Sequence, residues 1–142
     1  MPGPTRSRRR RRPTDTGGDA AHLRAGRRAE QLALAFLRRR GLRLVARNFS
    51  CRLGEIDLIM RAGACLVFVE IRYRRDSRRM TPAETIGPAK QRRILRTAQY
   101  FLQCHPRYAA LALRFDLVAL SGPLERVTLS WQRGIFEDAG PA

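Results

Sequence analysis

The chain has 142 residues, enough for one domain with a real hydrophobic core. Its 44% apolar content excludes a wholly disordered chain, and no apolar run approaches the ~20 residues of a helical membrane span. Twenty-nine Lys and Arg against 12 Asp and Glu give a net charge of +17, a field that attracts polyanions and makes their binding salt-dependent.

Residues 1–20 read as a tail. Arg8 to Arg12 form an unbroken basic run, followed by Pro13, Gly17 and Gly18. Such a run repels itself and has nothing to bury, so disorder is expected. The tail lacks the apolar stretch of a secretory signal, and a cytoplasmic location is the expectation. Residues 1–28 hold nine Arg and two Asp, so +10 of the charge belongs to the rest. A single domain is expected over 21–142.

A first helix is expected from Ala21 to Arg40. Ala29, Ala33, Phe36 and Leu37 form one apolar stripe, and Gly41 closes the helix. Three strands follow. The first covers 42–49. The second covers 53–60, with Ile56, Leu58 and Met60 on one face and Glu55, Asp57 and Ile59 on the other. The third covers 64–73, with Val67, Val69 and Ile71 facing one way and Leu66, Phe68, Glu70 and Arg72 the other. Arg61-Ala62-Gly63 is the turn of an antiparallel hairpin.

A basic loop, 74–80, leads to Thr81-Pro82-Ala83-Glu84, which reads as a helix start with Thr as the cap. Gly87-Pro88 interrupts this helix. It resumes through Ile94, Leu95, Ala98, Phe101 and Leu102 and ends before His105-Pro106. Strands at 112–119 and 125–131 complete the order α-β-β-β-α-β-β. The fold class is therefore α/β, a mixed β-sheet flanked by helices.

Three cysteines without a Cys-x-x-Cys pair argue against a disulfide framework and a structural zinc site. His22 and His105 lack partners at useful spacing. The basic residues are 28 Arg and one Lys, Lys90.

The hairpin carries the chemistry. Asp57 lies mid-strand, and Glu70 and Arg72 lie two residues apart on the next strand. Carboxylates in apolar strands are costly to bury without compensation. Two on adjacent strands can share a divalent cation, because Mg²⁺ needs only one or two protein carboxylates beside water and phosphate oxygens. An ionic network at a sheet edge would give the same pattern.

Gly54-Glu55-Ile56-Asp57-Leu58-Ile59, followed by Phe68-Val69-Glu70-Ile71-Arg72-Tyr73-Arg74, resembles the YraN-like family of small bacterial proteins. That family is assigned to the restriction-endonuclease-like, or PD-(D/E)xK, fold. The resemblance runs from about Gly26 to Asp116 and includes Glu30, Arg47-Asn48, Lys90 and Arg114-Phe115-Asp116. It implies that Asp57 and Glu70 hold Mg²⁺ or Mn²⁺, that Glu30 adds a helix-borne carboxylate, and that Arg72 stands in the place of the motif's Lys.

Arg keeps its proton near neutral pH, so Arg72 can stabilise an anion but cannot act as a base. Lys90 is the candidate substitute. The bland alternatives are a surface Glu30, a solvated Glu55 and an Asp116 paired with Arg114. Lys90, Arg92, Arg93 and Arg96 form a basic helix face. Arg74 and Arg75, with Tyr73, Arg78 and Arg79, form a basic loop. Both suit a phosphate backbone, as does Arg47.

No helix-turn-helix, zinc finger or Gly-rich phosphate loop supports sequence-specific reading. The leading expectation is a metal-dependent nuclease acting on DNA, on branched or structured DNA in particular. The rival is a nucleic-acid-binding protein that keeps the fold and has lost catalysis, which Arg72 favours. A protein-interaction module comes third. A homodimer would suit two-strand cutting, and no membrane partner is expected.

Overall fold

A computed structural model describes residues 16–76 and 86–136. The Arg8–Arg12 run, the Thr81-Pro82-Ala83-Glu84 cap and Arg78 and Arg79 lie outside the described residues. The elements are α1 (Thr16–Arg39), β1 (Arg43–Cys51), β2 (Gly54–Ala62), β3 (Cys65–Arg74), α2 (Pro88–Cys104), β4 (Ala112–Ser121) and β5 (Thr128–Phe136). The five strands form one sheet in chain order. All neighbours are antiparallel except β3 and β4, which run parallel across the α2 connection. The α/β class and the element order agree with the sequence.

Each face of the sheet is covered by one helix. The stripe on α1 buries Ala29, Ala33 and Leu37 against Leu58, Met60, Val67, Val69, Val118 and Leu120. On the other face, Ile94, Ala98 and Phe101 of α2 pack on Ile59, Leu66, Phe68 and Phe115. The Phe68 and Phe115 rings stack at 5.3 Å across the parallel pair. Among the described residues no helix is long and apolar enough to cross a membrane.

Several boundaries move. α1 starts at Thr16 rather than Ala21, where Gly17 and Gly18 carry no helical signal. The β2–β3 ladder continues to Ala62↔Cys65, which shortens the expected turn. β5 begins at Thr128 and runs to Phe136, because a 3-10 turn occupies Leu124–Arg126 and the strand continues through Gly134. The largest correction concerns Ile56. It packs on the α2 face with Ile59, while Leu58 and Met60 face α1. The alternation of β2 therefore breaks at Asp57.

Two glycines shape what lies around that break. Gly54 opens β2 beneath α2, and a Cβ there would lie 2.9 Å from Thr97 Oγ1. Thr97 is fully buried, its hydroxyl donating to the Arg93 carbonyl at 2.7 Å. Gly54→Ala is expected to cost about 1–3 kcal/mol by overpacking. Combined with Thr97→Ala it should lose less than the two changes lose separately, since each relieves the other. Thermal unfolding of the three variants checks this, and strictly additive losses would refute it. Gly26 is the opposite case. It stands mid-helix in α1, where glycine costs about 1 kcal/mol relative to alanine, yet a Cβ there would meet nothing within 4 Å.

Candidate metal and nucleic-acid site

The β2–β3 ladder stops at Leu58↔Val69. The next residues outward are Asp57 and Glu70. Beyond them each strand keeps only its other neighbour: β2 stays on β1 to Gly54, and β3 stays on β4 to Arg74↔Ser121. The parted strands leave backbone groups to satisfy, and Asp57 Oδ2 accepts the Ile71 N–H at 2.8 Å. A side chain thus completes the ladder where the backbones separate.

The break of alternation has a visible cause. Asn48 lies between the β1–β2 pairs Arg47↔Leu58 and Phe49↔Ile56, and its φ is 52°. Asn tolerates this left-handed conformation better than most residues. The strand consequently changes face: Arg47 reaches Glu30 of α1, whereas Phe49 packs on Phe101 of α2 with ring centroids 5.1 Å apart. Asp57, at the crossing point, walls clefts on both faces.

The α2-side cleft, of about 290 Å³, is lined by Glu55, Asp57, Glu70, Lys90 and Arg93. Lys90 Nζ forms an ion pair with Glu70 Oε1. The α1-side cleft, of about 370 Å³, is lined by Asp57 and Glu55 again, with His22, Gly26, Glu30, Asn48 and Tyr73 among the rest. Glu30 Oε1 accepts a hydrogen bond from Asn48 Nδ2 at 3.0 Å and lies 3.6 Å from Arg47 Nε.

Burial pushes the Asp57 carboxyl up to about 7. The neighbouring Glu70 carboxylate adds to the rise, and Glu55 adds a little more. The Ile71 N–H and the Lys90 ammonium oppose it. A carboxyl that resists ionisation beside a second carboxylate forms a donor set a cation would relieve. Among the described residues no three His, Cys, Asp or Glu groups are arranged to hold an ion. Most remaining ligands would be water and phosphate oxygen, the habit of Mg²⁺ rather than of a protein-caged metal. Asp57 and Glu70 fit such an ion.

The expected residues therefore sort by place. Asp57, Glu70, Lys90 and Arg93 share one cleft. Alternation along β3 puts Arg72 on the side of Glu70, since Leu66 and Phe68 pack toward α2 and Val67 and Val69 toward α1. Glu30 and Arg47 belong to the other cleft rather than to Glu70. Arg75 lines an adjoining cleft with His22, Gly26 and Tyr73, and Arg74 ends β3. Glu55 is exposed at the strand end. Asp116 is a buried salt-bridge partner of Arg114, at 3.0 Å. His22 lacks an evident partner in the sequence and Asn48 enters only through the resemblance, yet both line the α1-side cleft. The signal for His22 was available: His22, Gly26 and Glu30 recur every fourth residue and share one face of α1.

A family model described as "Uncharacterised protein family UPF0102" matches residues 29–120. Similar proteins include a "UPF0102 protein" of Stutzerimonas stutzeri, 47% identical over 80% of this chain and 94% of its own length. One from Nitrosococcus oceani is 44% identical over 82% of this chain and 94% of its own length. One from Xanthomonas campestris pv. campestris is 48% identical over the same shares. These matches agree with the likeness carried by the two strand motifs.

Proposed function

We propose that this chain, which belongs to the uncharacterised protein family UPF0102, is a metal-dependent nuclease acting on DNA. The observation that supports the reading is the pair Asp57 and Glu70, set where two strands part, with an ammonium from α2 on the second carboxylate.

Asp57 and Glu70 would hold Mg²⁺ or Mn²⁺, while Glu30, engaged with Asn48 and Arg47, lines the α1-side cleft. When bound, such an ion polarises a phosphodiester and lowers the pKa of a water molecule. The chain's own residues do the rest. Lys90 balances Glu70 and presents a compact positive charge to a phosphate oxygen. Arg72 offers a guanidinium fork that grips phosphate without giving up its proton. Arg74, Arg75, Arg93 and Arg47 extend the positive surface along which a backbone can lie.

The test is cleavage of linear, single-stranded and four-way-junction DNA in Mg²⁺, Mn²⁺ or EDTA, with Asp57→Ala and Lys90→Ala alongside. Cutting is expected only with metal. Asp57→Ala should reduce it about a thousandfold or more, since metal catalysis supplies several kcal/mol. Lys90→Ala should reduce it about a hundredfold, as for loss of one positioned electrostatic group. Arg72 in the Lys position favours a second reading, a nucleic-acid-binding protein without catalysis. Salt-sensitive binding with no cutting in any metal would assign that role. Absence of binding at physiological salt would remove both.

A further inference from the structure

We infer that the cleft on the α1 side of Asp57 is a binding site for one unpaired nucleotide, whose neighbouring phosphate lies at Asp57 and Glu70. The inference rests on reading those carboxylates as the place where a strand is engaged.

Asp57 walls both clefts, so a strand laid across it enters the α1 side as well. The volume there, about 370 Å³, falls within the range of small-ligand sites and is too small to enclose a duplex arm. Its surface suits a base. Leu23 and Ile71 supply apolar wall. Tyr73 adds an aromatic ring whose position is fixed, because its hydroxyl donates to the Gly122 carbonyl at 2.9 Å. Arg27 and His22 give the rim polar and positive groups, and the Glu30 and Glu55 carboxylates, the first already accepting from the Asn48 amide, offer acceptors to a base's amino groups. Aromatic and apolar platforms edged by cations are how proteins hold unpaired bases and their phosphates.

Gly26 is the second line of argument. Every residue but proline would make a better helix there, and nothing blocks its side chain. The open volume over Gly26 belongs to this cleft and to the adjoining one that continues past Tyr73 to Arg75. The glycine keeps that path clear. Substrates with an unpaired nucleotide, whether single strands, flaps or branches, are the class this favours over blunt duplex.

Filling the cleft tests it. Gly26→Ala, Gly26→Leu and Gly26→Phe are made in the full chain. Binding to a fluorescein-labelled single strand and to the matching blunt duplex is measured by anisotropy in EDTA. Single-strand affinity is expected to fall as the side chain grows, at least tenfold for Phe, with duplex affinity within twofold. Melting temperature should stay at or above that of the unaltered chain. A 2-aminopurine in the strand should change emission on binding, and Gly26→Phe should abolish the change. Ala35→Phe, on an exposed part of the same helix away from the cleft, should alter neither. Unchanged single-strand affinity in Gly26→Leu and Gly26→Phe overturns the inference, as does equal loss for both substrates. Because these readouts need no cleavage, an inactive protein would sink the nuclease reading and still decide this one.

Discussion

Asp57→Asn is expected to make the protein more stable at pH 8 while removing its response to Mg²⁺. The folded carboxyl titrates near 7 against 3.8 for the free group. Folding therefore favours the protonated form. That contribution is fully present below about pH 3.8 and is lost as pH rises through 7. Above it, the unaltered chain carries a buried negative charge beside Glu70. The gap corresponds to an upper bound on the order of 4 kcal/mol. Water in the two clefts reduces this, so a gain of about 1–2 kcal/mol is the expected result. Asn is neutral throughout, and its Oδ1 can still accept the Ile71 N–H. Melting curves in EDTA from pH 4 to pH 8 should show the unaltered chain losing ground to Asp57→Asn, levelling above pH 7. Parallel curves would rule out the buried-charge account. Mg²⁺ should raise the melting point of the unaltered chain only, since a ligand stabilises the form that binds it.

Asp116→Ala should produce the largest loss of stability, about 3–5 kcal/mol. Asp116 is fully buried where the β4–β5 register shifts. It accepts hydrogen bonds from Arg114 Nε at 3.0 Å, Trp131 Nε1 at 2.9 Å and the Gly134 N–H at 3.0 Å. Alanine would strand all three donors, one of them charged. Trp131 also meets Phe36 of α1 edge-on at 6.0 Å and carries the Arg133 guanidinium 4.0 Å above its ring. The defect would thus spread from the sheet to the helix. Trp131 is the only tryptophan, so its fluorescence follows denaturant unfolding directly. A loss below 1 kcal/mol would show that the network is dispensable.

The sequence made the strands and their order readable because periodicity is local. The stripe of Ala29, Ala33 and Leu37 and the alternation of Val67 with Phe68 reflect which side meets a core, and the core lies where they indicate. Asp116 read correctly as an ion-pair partner, since Arg114 stands two positions away on the same side of a strand. What failed was non-local. The Ile56 reversal depends on the φ of Asn48 in another strand, which no pattern within β2 reveals. The ion pair between Lys90 and Glu70 spans a loop and a layer of the fold. The open space over Gly26 depends on what stands beside α1, which the helix's own residues do not reveal.

The outer strands limit how the molecule can grow by self-association. β1 has an irregular register between Leu44 and Ala46 and presents Arg43 and Arg47 outward, with Arg43 directly opposite Arg61. β5 is bent by its own register shift and carries Arg133 and Gly134. Bulged, like-charged margins make poor templates for another chain's backbone, which is how natural sheets avoid stacking edge to edge into fibres. Two copies of this molecule would therefore gain little by extending the sheet from one to the other.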